Sequence, residues 1–154
     1  MAIKILMVCL GNICRSPLAE GILQSKVDPE QVMVDSAGTG GYHIGNAPDK
    51  RSIAVAKQHG ISIAHQRCRQ ITKADFITFD CIYVMDKSNY ASLLKMADLE
   101  QTSKVKLLLD EVAIGISEVP DPYYGGNEGF ENVYQMISAA CETIAQRLNA
   151  NKES

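Results

Sequence analysis

The sequence has no large excess of charge of either sign and no long hydrophobic run. A net charge of −3 gives no reason to expect a nucleic-acid surface or a polybasic membrane patch. The first apolar stretch, from Ala2 to Leu10, contains a lysine and is too short for a membrane-spanning helix. No cleavage site of small residues follows this stretch, so we expect a cytoplasmic protein that binds neither nucleic acid nor membrane.

Cysteine occurs in an odd number, with five residues, and no two of them have a C-x-x-C spacing. A chain of this length does not need disulfides to hold its core, so the pattern favours free thiols in a reducing compartment. The three histidines do not form a metal-binding pattern such as H-E-x-x-H. We therefore expect neither a metal site nor a bound cofactor.

The composition is that of one ordinary globular domain, which we expect to span residues 1–154. Four short apolar runs lack the polar alternation of a half-exposed strand, which predicts strands that are covered on both faces. These runs are Ile3–Val8, Val32–Val34, Ile82–Met85 and Val105–Leu109.

Helical stretches separate the predicted strands. The alternation of strands and helices predicts an α/β fold, a three-layer αβα sandwich around a central four-stranded parallel sheet. In such sheets, ligands bind outside the carboxyl ends of the strands. Four helices are predicted. The first has Ser16 as its N-cap and Pro17 at its first position, and the second runs from about Asp49 to Gln58 and stops at Gly60. The third spans Ser88 to Met96, and the fourth covers Phe130 to Leu148.

The segment from Asp110 to Gly129 is rich in glycine and proline and has no long periodic run. Loops of this length are uncommon in a small domain and usually have a function. We expect this segment to contribute to the site.

The residues around the end of the first strand, from Val8 to Pro17, carry most of the functional information. Cys9 directly follows the predicted strand, five residues come after it, and Arg15 leads into a helix start. Backbone N–H groups of such a loop, with the positive end of the helix, can form a cradle for a phosphate. Arg15 can bind two phosphate oxygens, and the same positive field favours a nucleophilic thiolate at Cys9. The loop residues of this cradle are Leu10, Gly11, Asn12, Ile13 and Cys14.

The C-x5-R spacing alone does not establish such a site, because a cysteine at a strand end is ordinarily a small buried apolar side chain. The context favours the functional interpretation. A buried strand precedes Cys9, Gly11 permits a tight backbone, and Arg15 is followed by a serine and a proline that open a helix.

The ten residues VCLGNICRSP closely resemble the phosphate loop of the low-molecular-weight protein tyrosine phosphatases. The resemblance covers nearly the whole chain, because four further motifs follow in matching order. It implies hydrolysis of phosphotyrosine monoesters, on proteins or on small aryl phosphates, through a phosphocysteine intermediate. The four motifs are DSAGT from Asp35, GNAPD from Gly45, MDKSN from Met85 and DPYY from Asp121.

The same resemblance assigns the catalytic roles. It implies that Cys9 is the nucleophile, that Arg15 binds the phosphate, and that Asp121 is the general acid and base. Without the resemblance, an aspartate at position 121 followed by a proline is more typical of the start of a turn than of a general acid.

Supporting and redox roles are also implied by the resemblance. Asn12 and Ser36 match a hydrogen-bonded pair that holds the phosphate loop, and Ser16 matches the hydroxyl that steadies the thiolate. Cys14 matches a cysteine that forms a reversible disulfide with the nucleophile under peroxide. Gln66 stands where the family often has a histidine, so we expect the residue at position 66 to support the phosphate loop differently in this chain.

The walls of the implied site combine aromatic and aliphatic side chains, which suits an aryl ring. An apolar residue at position 13 favours a flat phenyl group over phosphoarginine. For the two tyrosines that follow Pro122, phosphorylation by a kinase remains an alternative to gating of the cleft. The implied wall residues are Ile13, Tyr42, Asp49, Tyr123 and Tyr124.

Two other functions remain open at this point. A thioredoxin-coupled arsenate reductase shares the fold and the loop, but it needs a further pair of closely spaced cysteines, whereas Cys68 and Cys81 are thirteen residues apart. A non-catalytic phosphate- or phosphopeptide-binding module would have no use for Asp121 facing a dianion. We expect a monomer, with weak self-association left open.

Overall fold

The computed structural model describes residues 2–123 and 127–153. In these ranges, four strands form one sheet with every pair parallel, in the order β2-β1-β3-β4. The predicted four-stranded parallel sheet is therefore confirmed. The strands are β1 (Ile3–Cys9), β2 (Val32–Gly38), β3 (Cys81–Val84) and β4 (Val105–Leu107).

Helices connect the strands and cover both faces of the sheet. No helix in the described ranges is both long enough and apolar enough to cross a bilayer. The short helix α3 is an element that the sequence patterns did not predict. The helices are α1 (Arg15–Lys26), α2 (Lys50–Gln58), α3 (Asp75–Thr78), α4 (Lys87–Met96) and α5 (Asn127–Glu153), with 3₁₀ turns at Leu99–Lys104 and Leu108–Glu111.

The central strand β1 faces a different hydrophobic core on each side. Ile5 and Met7 belong to the core that contains the buried faces of α1 and α5. Leu6 and Val8 belong to a second core that includes Leu93 of α4. Successive side chains of a strand point to opposite faces, so an unbroken apolar run is what a doubly covered strand requires. The predicted three-layer sandwich is confirmed.

The order of the strands locates a crevice at the end of β1. The chain places β2 on one side of β1 and β3 on the other. Connections that leave neighbouring strands in opposite directions open a gap outside their carboxyl ends. The last residue of β1 is Cys9, and the loop to α1 begins directly after it.

The start of α1 differs from the prediction. The helix begins at Arg15, so Ser16 is its second residue and Pro17 its third, and the prediction of Ser16 as N-cap is wrong. The hydroxyl of Ser16 does not cap the helix because it bonds to the preceding loop. A proline is tolerated at this position because the first N–H groups of a helix have no intrahelical acceptor.

The end of the sheet and the start of the last helix also differ from the prediction. The strand β4 stops at Leu107, whereas the predicted strand continued to Leu109, and the last two leucines are buried in a 3₁₀ turn. The prediction was too long because an apolar run indicates burial and does not by itself distinguish a strand from a helical turn. The helix α5 begins at Asn127 and includes Gly129, so the predicted loop is shorter than expected.

The helix α2 has the ends that the sequence predicts. The side chain of Asp49 accepts a hydrogen bond from the backbone of Arg51 at 2.8 Å and caps the helix. Gly60 follows the other end with a φ of 78°, a conformation that glycine adopts without steric cost.

A matched pair of leucines tests the second core. Leu93 is fully buried, whereas Leu99 is 89% exposed. We expect Leu93→Ala to lower the free energy of unfolding by about 2–5 kcal/mol, because it removes buried methyl groups and leaves a cavity. We expect Leu99→Ala to change it by less than about 0.5 kcal/mol. Urea unfolding followed by circular dichroism measures both, and equal losses would contradict the described packing.

Candidate active site

A cavity of about 420 Å³ opens at the carboxyl end of β1. Residues from three separate segments of the chain form its walls, and most of them were predicted from the sequence. The predicted residues that line it are Cys9, Leu10, Gly11, Ile13, Cys14, Arg15, Tyr42, Asp121 and Tyr123.

The wall also contains His43, which the sequence patterns did not single out. This histidine lies close to the loop that follows β1, since a Cβ atom placed on Gly11 would lie 3.2 Å from His43 Cδ2. Its position directly after Tyr42 was the signal available in the sequence. Tyr124, a predicted wall residue, lies outside the described residues.

Cys9 lies at the base of the cavity and is almost fully buried. The backbone N–H of Asn12 donates to Cys9 Sγ at 3.3 Å. The hydroxyl oxygen of Ser16 lies 3.1 Å from the same sulfur. Two polar hydrogens can therefore be directed at Sγ, an arrangement that stabilises negative charge on the sulfur.

The loop is held in shape by Asn12, whose side chain points into the protein and not into the cavity. Among the described residues, Asn12 is the one non-glycine residue with a positive φ, at 57°. Its Nδ2 donates to Ser16 Oγ at 2.8 Å and to Ser36 Oγ at 3.0 Å. Its Oδ1 accepts from the backbone N–H of Arg69 at 3.0 Å, and its carbonyl oxygen accepts from Cys68 Sγ at 2.8 Å.

A close approach of the backbone holds the outer side of the loop. The N–H groups of Thr39 and Gly40 donate to the carbonyl oxygens of Cys9 and Leu10, each at 2.9 Å. A Cβ atom on Gly38 would lie 2.8 Å from Leu10 O, so this contact requires glycine at position 38.

Arg15 is buried beside the loop and is held by groups from two other segments. Its Nη1 donates to Asp86 Oδ2 at 2.7 Å and to the carbonyl oxygen of Val119 at 2.9 Å. Its Nη2 lies 3.7 Å from Asp121 Oδ2. Burial opposes the charge, but the neighbouring Cys9, Asp86 and Asp121 raise the pKa of Arg15 above its ordinary value. Asp86 was quoted only as part of a motif, and its role becomes visible once β3 brings it beside α1.

Asp121 stands at the rim, with its side chain 42% exposed. The backbone N–H of Tyr123 donates to Asp121 Oδ1 at 3.0 Å. This bond closes a turn from Asp121 to Tyr123, and Arg51 holds the turn in place. Its Nη2 donates to the carbonyl oxygen of Tyr123 at 2.8 Å, and its guanidinium lies 5.5 Å from the Tyr123 ring centroid.

Asp49, a predicted wall residue, lies outside the lining of the cavity. Its carboxylate accepts from Arg51 Nε and Nη2, each at 3.1 Å. Burial alone would raise the pKa of Asp49, but these hydrogen bonds hold it below its ordinary value. Asp49 therefore orients the arginine that anchors the turn of Asp121.

Cys14, the predicted redox residue, shares the cavity with Cys9 and is buried. Burial, followed by the charges of Asp49 and Cys9, raises the pKa of Cys14 to about 12. Cys14 is therefore a neutral thiol near neutral pH, in contrast to the polar surroundings of Cys9 Sγ.

Gln66 supports the base of α1 and not the loop itself. Its Nε2 donates to the carbonyl oxygen of Pro17 at 3.1 Å, and its buried Oε1 has no hydrogen-bond partner. In the described ranges, no group of three or more histidine, cysteine, aspartate or glutamate side chains is placed to hold a metal ion.

Three comparisons relate this chain to known proteins. The family model described as low molecular weight phosphotyrosine protein phosphatase matches residues 4–154. The chain is 44% identical to low molecular weight protein-tyrosine-phosphatase YfkJ of Bacillus subtilis, over 98% of this chain and 99% of that protein. It is 42% identical to the human low molecular weight phosphotyrosine protein phosphatase, over 94% of each.

A solved structure agrees with these sequence matches. The crystal structure of a protein tyrosine phosphatase from Entamoeba histolytica, with Hepes in its active site, superposes with a TM-score of 0.92. That protein is 38% identical, and the match covers 98% of this chain and 99% of that one. The similarity therefore extends over the whole sheet and the loop that follows β1.

Two substitutions at Asn12 separate the backbone of the loop from its side chain. Both Asn12→Ala and Asn12→Gly remove the hydrogen bonds of the amide, but only alanine opposes a positive φ. We expect Asn12→Ala to lower the free energy of unfolding by about 1–2 kcal/mol more than Asn12→Gly. Chemical denaturation measures the difference. An alanine variant as stable as the glycine variant would show that the loop does not depend on this conformation.

Proposed function

The chain belongs to the low-molecular-weight phosphotyrosine protein phosphatase family of metal-independent hydrolases, and from this premise we propose a mechanism for its own residues. Phosphotyrosine monoesters are hydrolysed in two steps through a phosphocysteine intermediate on Cys9. The observation that carries this proposal is the arrangement around Cys9 Sγ. A sulfur with two polar groups directed at it lies at the base of a cavity whose rim holds Asp121.

Binding of the substrate phosphate rests on the loop and on Arg15. The backbone N–H groups between Leu10 and Arg15 surround the phosphate oxygens, and the positive end of α1 adds to their field. Arg15 donates to two oxygens of the phosphate through the part of its guanidinium that Asp86 does not hold. These donors stabilise the charge that spreads over the oxygens in the transition state.

In the first step, Cys9 Sγ attacks phosphorus and the bond from phosphorus to the phenolic oxygen breaks. Asp121 protonates the leaving oxygen, because a phenolate leaves poorly near neutral pH. The position of Asp121 supports this role. Its Oδ2 lies 3.7 Å from Arg15 Nη2, so the carboxyl group is beside the guanidinium that binds the phosphate.

In the second step, Asp121 removes a proton from a water molecule that attacks the phosphorus of phosphocysteine. The bond from phosphorus to sulfur breaks, and inorganic phosphate leaves. Ser16 assists because its hydroxyl, 3.1 Å from Cys9 Sγ, donates to the thiolate as the thiolate forms. The same residue therefore helps both the formation of the nucleophile and its release.

The walls favour an aryl ring. Ile13 gives the cavity an apolar side, while Tyr42 and Tyr123 are exposed at its mouth and can contact the ring. His43 adds a polar group at the same rim.

The wider assignment follows from these residues. We infer that residues 1–154 form one domain acting as a monomer on phosphotyrosine-containing proteins or small aryl phosphates, and the continuous family match supports a single domain. We also infer a cytoplasmic location, which the five unpaired cysteines support.

Hydrolysis of para-nitrophenyl phosphate tests the mechanism, with a chelator and a thiol reductant present throughout. We expect Cys9→Ser to lose at least about a thousandfold in kcat, and Asp121→Asn to lose about 10²–10³-fold. Asp110→Asn, an exposed aspartate outside the cavity, is the matched control and should retain full activity.

Two outcomes would contradict the mechanism. One is a loss of activity with the chelator that added divalent metal restores. The other is the absence of turnover in folded wild-type protein, in which case arsenate reduction with thioredoxin becomes the assay of choice.

A redox role for Cys14 is part of the same proposal. Peroxide oxidises the Cys9 thiolate to a sulfenic acid, and the Cys14 thiol then forms a disulfide with it and releases water. We expect wild type to regain most of its activity when a thiol reductant is added after peroxide, and Cys14→Ser to regain several-fold less. Activity assays before and after the reductant measure this difference. Equal recovery in both proteins would overturn the role of Cys14.

A further inference from the structure

A carboxylate lies behind the phosphate loop, on the side away from the cavity. Ser36 Oγ donates to Oε1 of Glu20 at 2.7 Å, and Asn12 Nδ2 donates to the same Ser36 oxygen at 3.0 Å. Glu20 belongs to α1, Ser36 to β2 and Asn12 to the loop. A continuous hydrogen-bonded chain therefore runs from Glu20 to the residue with the positive φ.

The surroundings of Glu20 leave its charge poorly compensated. Arg69 lies close enough to attract it, but that guanidinium is already paired with Asp35 and Asp75. Among the described residues, no salt bridge to Glu20 within 4.0 Å is present. A second cavity, of about 260 Å³, adjoins it and is also lined by His65 and Gln66.

Burial, reinforced by the charge of Asp35 and opposed by Ser36 and Arg69, raises the pKa of Glu20 to about 7. An unfolded chain would hold this proton only up to about pH 4.3. The folded state therefore binds more protons between these values, and ionisation of Glu20 costs stability as the pH rises through about 7.

We propose that Glu20 is a positioning residue whose ionised form holds the phosphate loop in its binding conformation through Ser36 and Asn12. This inference rests on the proposed function of the loop. Protonation of Glu20 loosens the hold on Asn12, so the affinity for a dianion falls as the pH drops below neutral.

The direction of this pH dependence follows from the donors and acceptors in the hydrogen-bonded chain from Glu20 to Asn12. An ionised carboxylate only accepts, so the Ser36 hydroxyl must donate to it and keeps an oxygen lone pair for Asn12 Nδ2. A protonated carboxyl can instead donate to the second lone pair of Ser36 Oγ, so the hydroxyl is no longer fixed as a donor and its oxygen is held less firmly toward the amide of Asn12. The charged hydrogen bond is also roughly twice as strong as the neutral one.

Binding of inorganic sulfate, measured by calorimetry near pH 6 and near pH 8, tests the proposal. Sulfate stays a dianion over this range, whereas phosphate changes its charge. The ratio of the association constant of wild type to that of Glu20→Gln cancels the effects of pH that are common to both proteins. We expect this ratio to rise about five-fold from the lower to the higher pH. Glu30→Gln, at an exposed glutamate after α1, should follow wild type.

The Ser36→Ala background distinguishes the hydrogen-bonded chain from simple repulsion by charge. If Ser36 transmits the effect, the Glu20→Gln substitution should not change the pH dependence of sulfate binding in that background. The proposal would be overturned if the ratio of the two association constants, wild type to Glu20→Gln, were the same at both pH values. It would also be overturned if Glu20→Gln changed the pH dependence equally in the Ser36→Ala background. Failure of wild type to bind sulfate would overturn both this proposal and the proposed function. Sulfate binding without phosphatase turnover would contradict the proposed function alone.

The wild-type protein provides a second readout that needs no substitution. In an NMR titration, the side-chain carboxyl of Glu20 and the side-chain amide of Asn12 should shift with one common midpoint. An Asn12 amide that does not respond at the midpoint of Glu20 would overturn the proposal even if Glu20→Gln failed to fold.

Discussion

The site depends on the left-handed backbone of one residue, Asn12. With a φ of 57°, this residue turns its N–H toward Cys9 Sγ while its side chain reaches the other way, into the protein. Such a conformation costs about 1–2 kcal/mol for a residue with a side chain. Hydrogen bonds from the amide to Ser16 and Ser36 offset that cost. This turn places the N–H of Asn12 beside Cys9 Sγ and the amide of Asn12 beside Ser16.

The groups that hold this turn come from distant parts of the chain. Ser36 is supplied by β2, while Arg69 and Cys68 are supplied by the segment between α2 and α3. Arg15 is held in the same way by Asp86, which lies after β3. The isolated loop peptide would lack all of these partners. The site is therefore a property of the folded sheet, because the chain places β2 on one side of β1 and β3 on the other and so brings the segments together.

Much of the fold and the centre of the site could be predicted from the sequence, because local patterns encode them. Unbroken apolar runs predicted the doubly covered strands, and the spacing of Cys9 and Arg15 after a strand predicted that both residues lie at one site, where they line the same cavity. Local patterns do not encode contacts between segments. The bond of Asp86 to Arg15, the place of His43 in the wall and the use of Asp49 to orient Arg51 all depend on tertiary structure. Ser16 was misassigned as a cap for the same reason, since its hydroxyl serves the loop.

The most direct test of the account is to find the phosphoryl group on the enzyme. Wild-type protein would be mixed with a phosphotyrosine peptide, quenched in acid within its first turnover and digested, and the peptides would be analysed by mass spectrometry. The account predicts one phosphoryl group on the peptide that contains Cys9, localised to the sulfur, and none on that peptide when the phosphotyrosine peptide is omitted. Rapid turnover with no phosphorylated Cys9, or with the group on another residue, would contradict it.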